Sequence, residues 1–328
     1  MHRLRLWLAS GVLFVVACVF VNNSVLFAAP REGRPSILAH RGIAQRFHTE
    51  GLTNDTCTAS RILAPTHDYL ENTIRSMQAA FERGADMVEV DVHPTTDGQF
   101  AVFHDWTVDC RTDGHGVTRE HSMAALKQLD IGYGYTADNG QTFPFRGQGV
   151  GQMPTLDEVL AAFPDHQLLI NVKSRDPAEG AMLAYHLGQL DADRRDRLQV
   201  YGHETPIAAL RSRLPDVRTL SLESLQACVL QYAGYGWTGI LPAACQRQLI
   251  FLPINVAPWL WGWPDRLLNR MEAAGSRVFV LGPYTGGGFS TGIDSDADLA
   301  RLPAGYSGGI YTNELDLVIG WRHARPGR

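Results

Sequence analysis

A chain of 328 residues with 45% apolar and 19% charged side chains can bury a sizeable core, and its composition is neither that of a disordered chain nor that of collagen. Its 29 basic residues against 34 acidic ones give a net charge of −5. Arg3 and Arg5 are the only charged residues before position 30, so the remainder carries 27 basic against 34 acidic residues, a net of −7 that argues against a nucleic-acid partner.

The first 29 residues stand apart. A basic start, "MHRLR", precedes the uncharged apolar run "LWLASGVLFVVACVFV", and "VLFAAP" offers a small-residue end. Three readings stay open: a cleaved export signal, a retained anchor that continues through Asn22–Ser24, and a lipoprotein signal with Cys18 acylated at "VVAC". Each places residues 30–328 outside the cytoplasm as one exported domain, periplasmic or extracellular and in the second reading membrane-anchored. Four cysteines remain beyond Cys18, an even number in an oxidising compartment. Nearness in sequence pairs Cys228 with Cys245 and leaves Cys57 for Cys110.

From residue 35 onward short β-branched or apolar runs alternate with longer helix-patterned ones. Strands are predicted at 36–40, 86–92, 100–104, 167–173, 198–202, 217–221, 250–256, 277–282 and 308–312. Nine candidates compete for eight places in a (β/α)8 TIM barrel, and "IFLPINV", interrupted by Pro253, is the weakest. The helices carry clear punctuation. Ile74, Met77 and Phe81 fall on one face before a stop at Gly84, and Thr155 with Glu158 has capping-box spacing. Asp176 and Pro177 form a helix start, and Pro264 and Gly275 bracket another helix. The stretches 43–70, 132–153 and 283–307 break the rhythm and read as active-site loop insertions. No repeat or linker splits the chain.

Candidate chemistry lies at strand ends. Glu89 and Asp91, two apart in "MVEVDVHP", point to one face of their strand. In an otherwise apolar run, two adjacent buried carboxylates call for a cation between them, and an all-oxygen site suits Ca²⁺ or Mg²⁺. His40 and His104 each close an apolar run, and parallel barrels place such ends at one rim. Imidazole titrates near neutrality, so the pair suits general acid/base work, and Arg41 offers a planar donor to phosphate. Lys173, beside carboxylates and phosphate, has an electrostatic task. Trp106, after the second histidine, and Trp259 in "APWLWGWP" are candidates to line the substrate mouth, although tryptophans more often anchor cores and loops.

Taken together, "AHRG", "ENT" at 71–73, "GADMVEVDVHPTTDGQFAVFHD", "CRTDGHG" and "PTLDEVL" closely resemble the glycerophosphodiester phosphodiesterase family. The resemblance covers most of residues 36–173, with "GGIYTNELDLV" similar to the family's last strand; the stretch 200–300 matches poorly. It implies a TIM barrel and metal-dependent hydrolysis of a glycerophosphodiester to glycerol 3-phosphate and an alcohol. Carried over, His40 and His104 would be the acid/base pair, Arg41 would hold phosphate and Glu89 with Asp91 the cation. Glu71 would orient Arg41 or the metal. One departure stands out: the family ends its fourth strand in E-x-K, and this chain has Asn171 before Lys173. Either Asn171 is an uncharged, weaker ligand or another group compensates, for which His203 and Glu204 in "YGHET" are candidates. The expected substrate is a small glycerophosphodiester. A lysophospholipid reached by aromatic loops and an anchored N-terminus is the alternative, and a non-catalytic binding barrel the third reading. No stretch points to a protein partner.

Overall fold

The computed structural model describes residues 2–24, 26, 31, 33–53, 56–286 and 291–324. The small-residue end of the N-terminal segment and part of the 283–307 loop therefore lie outside the described residues.

Eight parallel strands form the barrel: β1 (Ser36–Ala39), β2 (Met87–Pro94), β4 (Gln167–Val172), β5 (Leu198–Gly202), β6 (Arg218–Leu220), β7 (Leu249–Pro253), β8 (Arg277–Leu281) and β9 (Gly309–Thr312). They pair in the order β6-β5-β4-β2-β1-β9-β8-β7, and a single parallel bridge from Thr219 to Gln248 joins β6 to β7. The barrel is thus nearly closed. The weakest candidate from the sequence is one of its strands. Pro253 is the final residue of β7, a position where proline breaks no run of ladder hydrogen bonds.

The surplus strand is β3 (Phe100–Val102). It runs antiparallel to the far end of β2, pairing Val92 with Val102 and Pro94 with Phe100. β2 overshoots the barrel, turns back through residues 95–99 and returns as β3 toward the mouth. His104 therefore reaches the rim from above, on a returning hairpin, and does not end a parallel barrel strand as the sequence pattern predicts.

Strand alternation divides the core into two shells. Leu38, Met87, Leu169, Leu249, Phe279 and Tyr311 fill the barrel interior, while Ile37, Val88, Val90, Ile170, Val200 and Ile310 face the surrounding helices. A third cluster, including Ile62, Leu70, Phe103, Leu126, Tyr135 and Phe145, belongs to the 43–70 and 103–153 segments. Those stretches pack on one another as a cap with its own core. The Cys57–Cys110 disulfide staples it across 53 residues, and Cys228–Cys245 closes the other predicted pair.

Candidate active site

The site is assembled at the carboxyl ends of β1, β2, β4, β5 and β9. After β1 the ladder continues one step, with His40 N donating to Thr312 O, before the chain turns sharply. Arg41 holds φ 59° and Gly42 φ 79°. A Cβ on Gly42 would lie 2.9 Å from the backbone of Ser76 and Met77, so only glycine lets the turn press against the start of the helix Ile74–Glu82. Asn72 is also left-handed, at φ 58°, and its N–H donates to Arg41 O. Two uncommon backbone conformations thus brace each other, and both belong to residues of the site.

Glu89 and Asp91 face the barrel interior as alternation requires, both fully buried. Asp91 is crowded with donors. Asn72 Nδ2 donates to its Oδ2 at 3.0 Å and Asn171 Nδ2 to its Oδ1 at 2.8 Å, while Lys173 Nζ stands 3.4 Å from Oδ1 and Arg41 Nε 3.0 Å from Oδ2. Burial alone would raise this carboxyl, but the charges of Lys173 and Arg41 hold it well below the ordinary range.

Glu89 is the opposite case. Tyr201 donates its phenol to Oε1 at 2.7 Å, yet the buried Oε2 has no hydrogen-bond partner. Burial, with the charge of Asp91 behind it, pushes its carboxyl up to about 8. An orphaned carboxylate oxygen in the barrel interior is the donor atom a hard cation would use. Among the described residues no three Asp, Glu, His or Cys side chains converge as a ready-made cage, in keeping with an amide at position 171. Two carboxylates and an amide are the donor chemistry a hard divalent cation takes, but Asn171 turns its Nδ2 to Asp91, so its oxygen would face such an ion only after the amide rotates.

Glu71 is held on both oxygens by guanidinium groups, Arg41 at 2.9 Å and Arg111 at 3.1 Å. Arg111 also donates to Asp105 Oδ2 at 2.9 Å, to Tyr135 Oη at 2.6 Å and to Thr58 Oγ1 at 2.7 Å. Arg41 is thereby fixed at one end, while its buried Nε–H, although close to Asp91, is not aligned to donate to it and stays without an acceptor.

The two histidines have contrasting partners. His40 Nδ1 is 2.6 Å from Asn313 Oδ1, and its Nε2 stands 3.8 Å from Glu89 Oε2. Burial and the charge of Arg41 drive its pKa down to about 3, so it is neutral at neutral pH. His104 Nδ1 lies 2.6 Å from Asp105 Oδ1, and that carboxylate is in turn fixed by Arg111. Burial and Arg41 lower the pKa of His104, while Asp91 and Asp105 oppose that shift.

A cavity of about 340 Å³ opens above this cluster, lined among others by His40, Arg41, His104, Lys173, Asn313 and Glu314, with Phe47, Leu52 and Leu63 contributed by the cap. Other candidates fall elsewhere. Trp106 is absent from this lining; it stands edge-on to His93 with Arg119 over its ring. Trp259 is 86% exposed and flanks a separate groove beside the N-terminal helix, so neither tryptophan lines this mouth. Glu204 accepts from Ser221 Oγ and lies 3.7 Å from Arg211, and His203 caps the helix Glu204–Arg211, so both are used locally. Tyr201, the inward-facing residue of the same strand, takes the place beside Glu89.

Sequence reasoning passed over Asn72, Asp105, Arg111, Tyr201 and Asn313 as functional residues. Asp105 and Asn72 had a signal, each lying next to a chosen residue. Arg111 and Asn313 lay inside "CRTDGHG" and "GGIYTNELDLV", but their roles depend on contacts spanning 40 and 273 residues, which no motif displays.

The sequence model of the glycerophosphoryl diester phosphodiesterase family matches residues 40–221. A glycerophosphodiester phosphodiesterase of Bacillus subtilis is 27% identical over 263 residues, which is 75% of this chain and 80% of that one. The glycerophosphoryl diester phosphodiesterase domain of a Mycobacterium tuberculosis protein superposes with a TM-score of 0.62 at 18% identity, covering 88% of this chain and 100% of its own. An Oleispira antarctica phosphodiesterase, solved in complex with the product sn-glycerol-3-phosphate, superposes with a TM-score of 0.54 at 18% identity, covering 88% of this chain and 96% of that one.

Proposed function

This chain belongs to the glycerophosphoryl diester phosphodiesterase family and is a phosphoric diester hydrolase, and we propose that it cleaves small glycerophosphodiesters to sn-glycerol 3-phosphate and an alcohol with His40 as base and His104 as acid. The observation that carries the assignment is the contrast between the atoms facing the two Nδ1 positions. Asn313 Nδ2 donates to Asp294 Oδ2 at 2.7 Å, which turns its amide oxygen toward His40. Nδ1 of His40 must then carry the proton, leaving Nε2 with a lone pair able to take one from an attacking water, or from the glycerol hydroxyl with water then opening the cyclic phosphate so formed. His104 faces the carboxylate of Asp105, which opposes the lowering by burial and Arg41 and holds the ring oriented to hand a proton to the leaving alkoxide.

Arg41, braced by Glu71 and lining the cavity, supplies a fixed positive charge to a phosphoryl oxygen, and Lys173 adds a second on the other side of Asp91. Glu71 is a positioning residue in this scheme, since both of its oxygens are bound by arginines. A divalent cation, Ca²⁺ or Mg²⁺, would be held by Glu89, Asp91 and Asn171 and would neutralise charge on the phosphoryl oxygens as the diester is cleaved. The cavity sets Thr49, Thr53, Thr56 and Arg46 beside Phe47, Leu52 and Leu63, and its volume of about 340 Å³ accommodates a small alcohol. The two disulfides support a location outside the cytoplasm, and the apolar N-terminal helix supports export with membrane association.

The test is turnover of glycerophosphocholine by the purified chain, followed by release of sn-glycerol 3-phosphate, with EDTA and with added Ca²⁺ or Mg²⁺. Cation-dependent release is expected. Turnover of lysophosphatidylcholine alone would replace the substrate assignment, and turnover of neither under any cation would overturn the reading.

A further inference from the structure

We infer that the surface around Trp237, Trp259 and Trp261 is a bilayer-contact collar at the root of the N-terminal helix, seating the flank of the barrel on lipid. The helix His2–Asn23 contains an apolar stretch, Arg5–Asn23, of 19 residues with one charge. At 1.5 Å per residue it is about 28 Å long, close to the thickness of a hydrocarbon core. None of this stretch is buried against the barrel. Only its last turns meet the body, where Val16, Val19 and Phe20 face Pro258–Trp263 across an apolar groove of about 600 Å³.

That junction is built with specific polar contacts. Asn22 and Asn23 donate to Trp237 O at 3.0 and 2.8 Å. Arg270 reaches back to Asn23 Oδ1 at 3.0 Å and Asn22 O at 2.9 Å, and also donates to Tyr232 Oη and Gly236 O. Trp261 is tied to the same patch by its indole N–H, which donates to Ala233 O at 2.9 Å. Around this knot Trp237, Trp259, Trp261 and Ile240 are exposed, and so is Leu230 on the adjoining helix. Clustered tryptophans at the end of a span-length apolar helix are the pattern of a membrane interface, where an amphipathic indole sits at headgroup depth. An exposed apolar patch continuous with such a helix is covered by lipid when the helix is inserted.

Topology places the collar relative to the site. The segment Gly236–Thr238 leads toward the amino end of β7, and Arg270 lies in the helix that leads to the amino end of β8. Arg31, just after the membrane segment, binds Asn269, Glu272 and Ser307, which precede the amino ends of β8 and β9. His40, Asp91, Lys173 and Asn313 sit at carboxyl ends. Trp259 and Trp261 themselves follow the carboxyl end of β7, so the collar reaches along the flank of the barrel between its two ends.

The full chain carrying Trp7→Phe, which removes the indole within the helix itself, is reconstituted into phosphatidylethanolamine/phosphatidylglycerol vesicles with and without dibrominated acyl chains. Brominated lipid is expected to quench its tryptophan emission, and the added Trp259→Ser change to reduce that quenching by at least a third. Equal quenching with and without Trp259 would overturn the collar.

Discussion

His40 and Asn313 are joined at 2.6 Å across the seam where the first and last strands of the barrel pair, and the amide of Asn313 is held by Asp294 so that its oxygen faces the imidazole. The residue that sets the tautomer of the proposed base thus comes from the far end of the chain.

Asn313→Asp is expected to put a carboxylate in that position and raise the pKa of His40 from its value of about 3. The proposed base would then stay protonated to higher pH. The acid limb of the kcat/KM profile should move upward by about one to two pH units, with the sign set by an anion stabilising imidazolium. A profile on glycerophosphocholine checks this; an unmoved or lowered acid limb would remove His40 from the base role.

The two histidines should separate on a substrate whose leaving group needs no proton. His40→Ala is expected to lower kcat by roughly 10²–10⁴-fold on both glycerophosphocholine and a glycerophospho-p-nitrophenol diester. His104→Ala should lose a similar factor on the choline ester but recover most of it on the nitrophenyl ester. The reverse pattern would exchange the assignments.

Asn171→Glu restores a carboxylate beside Asp91, in the place where Asn171 Nδ2 now donates to it at 2.8 Å. An added charged oxygen ligand should lower the half-activating Ca²⁺ or Mg²⁺ concentration by about tenfold. Without cation the same change leaves an extra acid near Glu89 and Asp91, and Tm should fall. Titration of activity against cation concentration, paired with melting in EDTA, distinguishes the two effects. Unchanged cation dependence would mean that residue 171 is not a ligand.

The two disulfides should report different things. Closing 53 and 17 residues, they are expected to contribute about 4 and about 3 kcal/mol respectively by restricting the unfolded chain. Cys57→Ser with Cys110→Ser also loosens the cap that supplies Phe47 and Leu52 to the cavity, so KM should rise severalfold. Cys228→Ser with Cys245→Ser should lower Tm and leave KM near the parent value, a comparison that steady-state kinetics at a permissive temperature makes directly.

The errors in the sequence reading share a cause. Phe100–Val102 and Leu249–Pro253 have the same local look, a few apolar residues with a turn nearby, yet one is a hairpin return and the other a barrel wall. Trp259 and Glu204 follow strands whose carboxyl ends face the mouth, but the chain carries Trp259 away to the helix root and ties Glu204 to Ser221 and Arg211. Position after a strand says which end of the barrel a residue leaves from. It does not say where its side chain comes to rest.

By itself the sequence determined the alternation that turns Glu89, Asp91 and Asn171 inward and the strand ends that deliver His40 and Lys173, because both follow from the two-residue period of a strand. The paired cysteines were also legible, from their number and spacing. Tertiary structure decided the partners: Tyr201 on Glu89, Asn72 on Asp91, Arg111 on Glu71 and Asn313 on His40. These depend on the order of strands around the barrel and on the path of the cap, which bring together residues separated by as many as 273 positions. A local repeat fixes which face a side chain takes; only closure of the barrel fixes what it meets there.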